Sequence, residues 1–266
     1  MGTILSFISV KGGVGKTTVA LETASSLAND FHKKVLLVDA NFSAPNIGLY
    51  LDLTNEMSLQ DVLLGDGLHT AIYESHGFDI VPASLIYNQE IDAFKLKKVL
   101  WKVKNRYDFI IIDSSPNYKE LIPVIAASEK VFVVTTPDNV TLATSLKAAI
   151  AAKESNTPIE GLVVNRIRNP RYELDLKEIE NKSGIPVVAR IKDHKKMVES
   201  SYYKKPIGVY DNLNAISKEI KNFASALCGE PEKQGILLKI FGLKNAFGKE
   251  VVNRELLRKS FYVPQF

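Results

Sequence analysis

Two lysines and two threonines crowd a glycine-rich decapeptide near the start of the chain, which reads SVKGGVGKTT from Ser9 to Thr18. Glycine tolerates torsions that turn successive backbone N–H groups inward, and a helix start adds partial positive charge. A strand, such a loop and a helix in series therefore make a cradle for phosphate. The pattern G-x-x-x-x-G-K-[ST] is met at Gly15, Lys16 and Thr17, with Val10 where its first glycine would stand. In that pattern the lysine reaches the β- and γ-phosphates of a nucleoside triphosphate, and the hydroxyl is offered to Mg²⁺. Gly12, Gly13 and Gly15, with Val14 and Thr18, complete the expected grip. One lysine suffices for this chemistry, and Lys11 is a second.

The elements that must hold such a loop recur along the chain. Runs rich in Ile and Val at 3–10, 34–40, 78–83, 107–114, 130–136, 161–167 and 185–191 read as buried strands. Helix-length segments lie between most of them, at 16–30, 90–104, 141–154 and 173–183, and two more at about 193–203 and 212–227 close the domain. The alternation predicts an α/β, three-layer P-loop NTPase fold: a mostly parallel sheet with helices on both faces.

Composition narrows the class further. With 45% hydrophobic and 24% charged residues in 266, the chain is ordinary for a soluble globular protein, and no apolar run approaches the ~20 residues of a spanning helix. Cys228 is the single cysteine, so neither an internal disulfide nor a CxxC metal site is available; the N-terminus enters a strand without a signal-peptide pattern. The expected location is cytoplasmic. From Gly235 to Phe266 six basic residues stand against two acidic ones, which is the whole of the net charge of +4. A neutral body with a basic tail predicts that any anionic surface is met at the tail.

The segment K-G-G-V-G-K-T-T resembles the deviant Walker A motif of the MinD/ParA ATPases, and the resemblance extends over nearly all of residues 1–228. It implies ATP and Mg²⁺ as ligands. It also implies a homodimer in which Lys11 reaches the nucleotide of the opposite subunit, a cation supplied in trans. VDANFSAPNIGL, residues 38–49, is similar to the family's switch I, where D-x-D leads to an asparagine; Asp39 and Asn46 fit and Asn41 does not. The second aspartate orients the attacking water in that family. An amide can hold the water but cannot accept its proton, so Asn41 implies slow hydrolysis or help from another group. IIIDSSPN, residues 110–117, resembles switch II with Walker B, so Asp113 is expected to hold the Mg²⁺ shell beside the γ-phosphate; Ser115 and Asn117 depart from the family pattern. Asn165, followed by Arg166 in VVNR, matches the adenine-recognising asparagine. In the next segment Lys192 replaces the family's proline and Asp193 falls one position early, as a candidate base contact.

Residues 229–235 read as a polar linker and 236–266 as an amphipathic basic tail. On a helical wheel Ile236, Ile240, Leu243, Phe247 and Val251 share a face, and GILLKIFG looks like the membrane-targeting helix that ends MinD proteins. Such a helix binds an anionic membrane weakly alone and more strongly when a dimer presents two. The alternative is an amphipathic element packed on the body or on a partner helix. The leading expectation is a MinD-type ATPase that positions division or envelope machinery, peripheral on the inner membrane face, with an unidentified cargo or activating protein. Its rivals are a ParA-type partner of DNA, using Lys195, Lys196, Lys204 and Lys205, and a nucleotide-binding scaffold with little hydrolysis.

Overall fold

The computed structural model describes residues 2–54, 56–168, 171–230 and 252–261. Eight strands form one sheet: β1 (Thr3–Ile8), β2 (Val35–Ala40), β3 (Tyr73–Ser75), β4 (Phe78–Val81), β5 (Phe109–Ser114), β6 (Lys130–Thr135), β7 (Ile159–Ile167) and β8 (Val187–Lys192). They lie in the order β3-β4-β2-β5-β1-β6-β7-β8, and only β3 runs antiparallel to its neighbour. The helices are α1 (Lys16–Phe31), α2 (Ile47–Tyr50), α3 (Leu59–Leu64), α4 (Lys95–Val103), α5 (Tyr118–Ala127), α6 (Asn139–Glu154), α7 (Leu176–Ser183), α8 (Lys195–Tyr202), α9 (Ile207–Tyr210), α10 (Ala215–Leu227) and α11 (Arg254–Phe261).

The strand runs are apolar on both faces because both faces are covered. Leu5, Phe7, Leu37, Ile111 and Phe132 pack on one side with α1, α10 and α11. Their strand neighbours Ile4, Ile8, Ile110, Ile112 and Val133 pack on the other, with α3 to α7. The expected three-layer α/β architecture is the one found. Several elements carry no clear periodic signal. The β3 strand is three residues long, α3 is six, and α5 contains Pro123, which lacks the N–H that a helix interior uses. The helix expected at 90–104 begins only at Lys95, because Asp92 accepts the Phe94 N–H at 3.0 Å and holds 92–94 as a turn.

The described end of the tail is part of this core. In α11, Leu257 and Phe261 are buried in the cluster of α1 and α10; Phe261 stacks on Phe132 at 6.2 Å between centroids, and Lys130 Nζ lies 3.9 Å from its ring centre. Arg254 pairs with Glu219 on α10. Residues 254–261 thus pack on the body; the amphipathic face read at 236–251, and with it the choice between membrane and body, lies outside the described residues. Phe261→Ala is expected to cost about 3 kcal/mol of stability, the lost transfer term plus a cavity beside Phe132, measurable by urea unfolding. A loss below about 1 kcal/mol would mean that α11 contributes little to the body.

Candidate nucleotide site

The phosphate loop leaves the carboxyl end of β1 at the centre of the sheet, where β5 and β6 flank it. In open α/β sheets this edge is where ligands bind. Gly13 has φ +79° and Gly15 φ +91°, both in the left-handed region; a Cβ on Gly15 would also stand 2.2 Å from Asn165 Nδ2. Val14 is the loop's anchor, buried in the α1-side core, and its carbonyl accepts Asn165 Nδ2 at 2.8 Å. Lys16 lies at the start of α1, nearly buried, its Nζ loosely placed 3.5 Å from the Lys11 carbonyl. Burial lowers its pKa and Asp113 partly restores it. A desolvated cation without a close counter-charge is poised for an anion.

Strand register delivers the acids. Asp39 and Asp113 stand side by side at the ends of β2 and β5, with Phe7 beside Asp113 on β1. Both carboxyls are pushed up, Asp113 by burial first and by the neighbouring Asp39 second, Asp39 by burial. Thr17 Oγ1 donates to Asp113 Oδ2 at 2.6 Å, and Asp113 Oδ1 is buried with no hydrogen-bond partner. A carboxylate oxygen so placed, next to a hydroxyl and the phosphate cradle, fits Mg²⁺, which takes few protein ligands and relies on phosphates and waters. Among the described residues no cluster of three His, Cys, Asp or Glu could hold a metal without such help. Asp39 is placed differently from Asp113. Its Oδ1 accepts the N–H of Asn41, and its Oδ2 those of Asn46 and Ile47, all at 3.1 Å, so it braces the loop between β2 and α2.

Asn41 is buried; its Nδ2 donates to the Ala44 carbonyl at 2.7 Å, and its Oδ1 has no partner. Asn117 turns out to cap α5, its Oδ1 accepting the Lys119 N–H at 3.0 Å. Ser115 is buried beneath the same turn, its Oγ accepting the Asn117 N–H.

Beside Thr18 a cavity of about 360 Å³ opens between α1, the ends of β7 and β8, and α8; Asn165, Arg166, Asp193 and Tyr50 are among its walls. Arg166 has φ +57°, and the β7–β8 register shifts between Val164 and Ile167, so the strand bulges where Asn165 turns to the phosphate loop. Asp193 reaches the cavity, where Arg168 Nε donates to its Oδ2 at 2.6 Å. Arg168 was not among the expected site residues, and nothing in VVNRIR distinguishes it. Lys11 is exposed and lines a second concavity of about 410 Å³ with Gly12, Gly13, Asp138, Arg166 and Glu173. Of the four lysines considered for DNA, Lys196 pairs with Glu199 and Asp211, Lys204 donates to the Leu49 carbonyl, and Lys205 lines the Thr18 cavity.

Glu22, also absent from the expected residues, lies at the Thr18 cavity, one turn beyond Thr18 on α1. Its carboxylate accepts the Ile207 N–H at 2.8 Å, and burial pushes its pKa up to about 8 against the pull of the Ile207 and Gly208 amides. Between the ordinary value of 4.5 and about 8 the folded state therefore holds a proton that the unfolded state has lost. This contribution to stability is complete below the lower value and falls as pH rises through the higher one. Glu22→Gln removes the titration, so wild type should lose about 3 kcal/mol relative to the variant between pH 5.5 and 8. Denaturant unfolding of both proteins at the two values checks it. Taking the difference cancels Asp39 and Asp113, and a constant difference would refute it.

Comparisons with known proteins agree with this geometry. A family model described as an AAA domain matches residues 2–155. An uncharacterized ATP-binding protein of Methanocaldococcus jannaschii is 29% identical over 262 residues, covering 94% of this chain and 98% of its own. The septum site-determining protein MinD of Bacillus subtilis is 28% identical, with 93% and 99% covered. Among solved structures, the septum site-determining protein MinD of Pyrococcus horikoshii, complexed with Mg-ADP, is 26% identical and superposes with a TM-score of 0.79 over 85% of this chain and 95% of that one.

Proposed function

This chain belongs to the AAA-domain family of P-loop ATPases, of MinD/ParA type, and from that premise we propose that it is a MinD-type molecular switch: it binds Mg²⁺-ATP, pairs with a second copy, hydrolyses the nucleotide and thereby controls the positioning of other machinery at a membrane. The observation that carries the reading is the orphaned Asp113 Oδ1 beside Thr17, next to a phosphate loop whose own lysine is buried with no ion pair among the described residues.

In this reading Gly12 to Lys16 wrap the phosphates, and Lys16 exchanges its loose contact with the Lys11 carbonyl for phosphate oxygens. Thr17 and Asp113 hold the Mg²⁺ shell; when bound, the ion neutralises charge that develops on the phosphates. Ionic contact also keeps Asp113 deprotonated despite its burial. Asn165 Oδ1 remains available to accept from an adenine amine while Nδ2 keeps Val14 in place. Arg166 lines both concavities and in this reading would border both the base and the partner. Asn41 holds the attacking water through its carbonyl oxygen without taking the proton, which predicts slow turnover. Lys11, exposed at the second concavity, would meet a neighbour's phosphates in the paired state.

Among the described residues no helix is long and apolar enough to cross a membrane, so in this reading membrane contact is peripheral and would come from residues 236–251. Light scattering with ADP and with a non-hydrolysable ATP analogue, without and with anionic liposomes, tests the reading. The expected result is a dimer with the analogue alone and co-sedimentation of that dimer with the liposomes. A monomer under every condition would overturn the switch; a dimer that stays off the liposomes and is retained on DNA in a salt-dependent way would move the assignment to the ParA type.

A further inference from the structure

Asn41 and Asn117 sit on different loops, and one carboxylate joins them. Glu120, in the first turn of α5, accepts the Ser43 N–H on Oε2 at 3.1 Å and the Ser43 hydroxyl on Oε1; the same Oε1 accepts Asn117 Nδ2 at 3.3 Å. Ser43 is the outer corner of a turn closed at Asn41 and Ala44, where Ala44 N donates to the Asn41 carbonyl at 3.3 Å and Asn41 Nδ2 to the Ala44 carbonyl at 2.7 Å. These contacts occupy the amide nitrogen of Asn41 and leave its buried Oδ1 as the one acceptor to spare. The other side of the turn is tied to Asp39 through the Asn41 N–H. The turn is thus pinned at two points, from within by Asp39 and from outside by Glu120.

We infer that Glu120 is a positioning residue for hydrolysis: by clasping Ser43 it fixes the turn that carries the free Asn41 oxygen, and by holding Asn117 it ties that turn to the loop following Asp113. The inference rests on the reading of this site as one that hydrolyses ATP. Magnitude separates positioning from stability. Ser43 is exposed and Glu120 partly so, and solvent-facing hydrogen bonds add little to folding. Their geometric effect is larger, because a displacement of about 1 Å at a reacting group can cost about 100-fold in rate.

The test compares wild type with Glu120→Ala, Glu120→Gln and Ser43→Ala. It uses hydrogen–deuterium exchange of the nucleotide-free proteins, ATP affinity, and single-turnover hydrolysis. In Glu120→Ala, exchange at residues 41–47 should rise about tenfold, single-turnover hydrolysis should fall about tenfold, and ATP affinity should stay within about twofold because the phosphate loop is untouched. Glu120→Gln, which presents an amide nitrogen to one of the three donors, and Ser43→Ala, which keeps the backbone contact, should fall between. Unchanged exchange at 41–47 overturns the inference, and so does raised exchange with unchanged hydrolysis. A lowered melting temperature with faster exchange throughout α5 would assign Glu120 a structural role and overturn it too. Failure of the nucleotide reading shows itself separately, as wild type that binds no ATP.

Discussion

Lys11→Ala is expected to bind ATP within about threefold of wild type, to remain monomeric with the non-hydrolysable analogue, and to hydrolyse ATP about 1,000-fold more slowly, the scale of a cation supplied in trans. The side chain is exposed and takes no part in the loop's own packing, so its removal should leave the fold and the cradle intact. Among the described residues only its backbone is engaged, the N–H donating to Ser9 Oγ at 3.2 Å and the carbonyl facing Lys16 Nζ, and alanine preserves both. The loss should therefore appear in turnover and assembly rather than in affinity. Light scattering and steady-state phosphate release check it together; a variant that dimerises and turns over like wild type would reduce Lys11 to a solvated loop residue.

The opposite pattern is expected of Lys16→Ala. Lys16 is buried, with Asp113 the one charge that acts on it, and a buried charge contact to phosphate removed at one partner costs about 3 kcal/mol, about 100-fold in ATP affinity. The nucleotide-free protein should not suffer in step. Desolvation is the largest influence on Lys16 and it is unfavourable to the charge, so alanine relieves that cost while forfeiting only the attraction to Asp113. Thermal unfolding without nucleotide should stay within a few degrees of wild type, while the rise in melting temperature that ATP confers disappears. If Lys16→Ala keeps that rise, the cradle is not where the triphosphate binds.

Much of this candidate site is legible in the sequence, because its chemistry is local. SVKGGVGKTT carries strand end, glycine torsions, lysine and hydroxyl within ten residues, and the apolar runs announce the strands that bracket it. Asp113 could be read from its place at the end of an unbroken apolar run. Asp39 could be matched in position, and the structure adds that its oxygens accept from backbone N–H groups that lie two, seven and eight residues on. Asp193, the candidate base contact, also accepts from Arg168 across 25 residues, a pairing that the sequence does not signal. Asn117, a departure from the family pattern, is explained by capping.

Residue type and spacing alone determined the glycine-rich loop at the end of β1, the Thr17 hydroxyl and the strand-end Asp113 carboxylate, the second lysine and the alternation that becomes a parallel sheet, since each depends on interactions within a few residues or on burial of a whole run. The tertiary structure decided what those residues face: Asn165 locked to Val14 across 151 residues, Glu120 on Ser43 across 77, and α11 seated on Phe132. Contacts between distant segments leave no periodic or local trace in a sequence. They exist only once strand register has brought the segments together, and so only the fold could assign them.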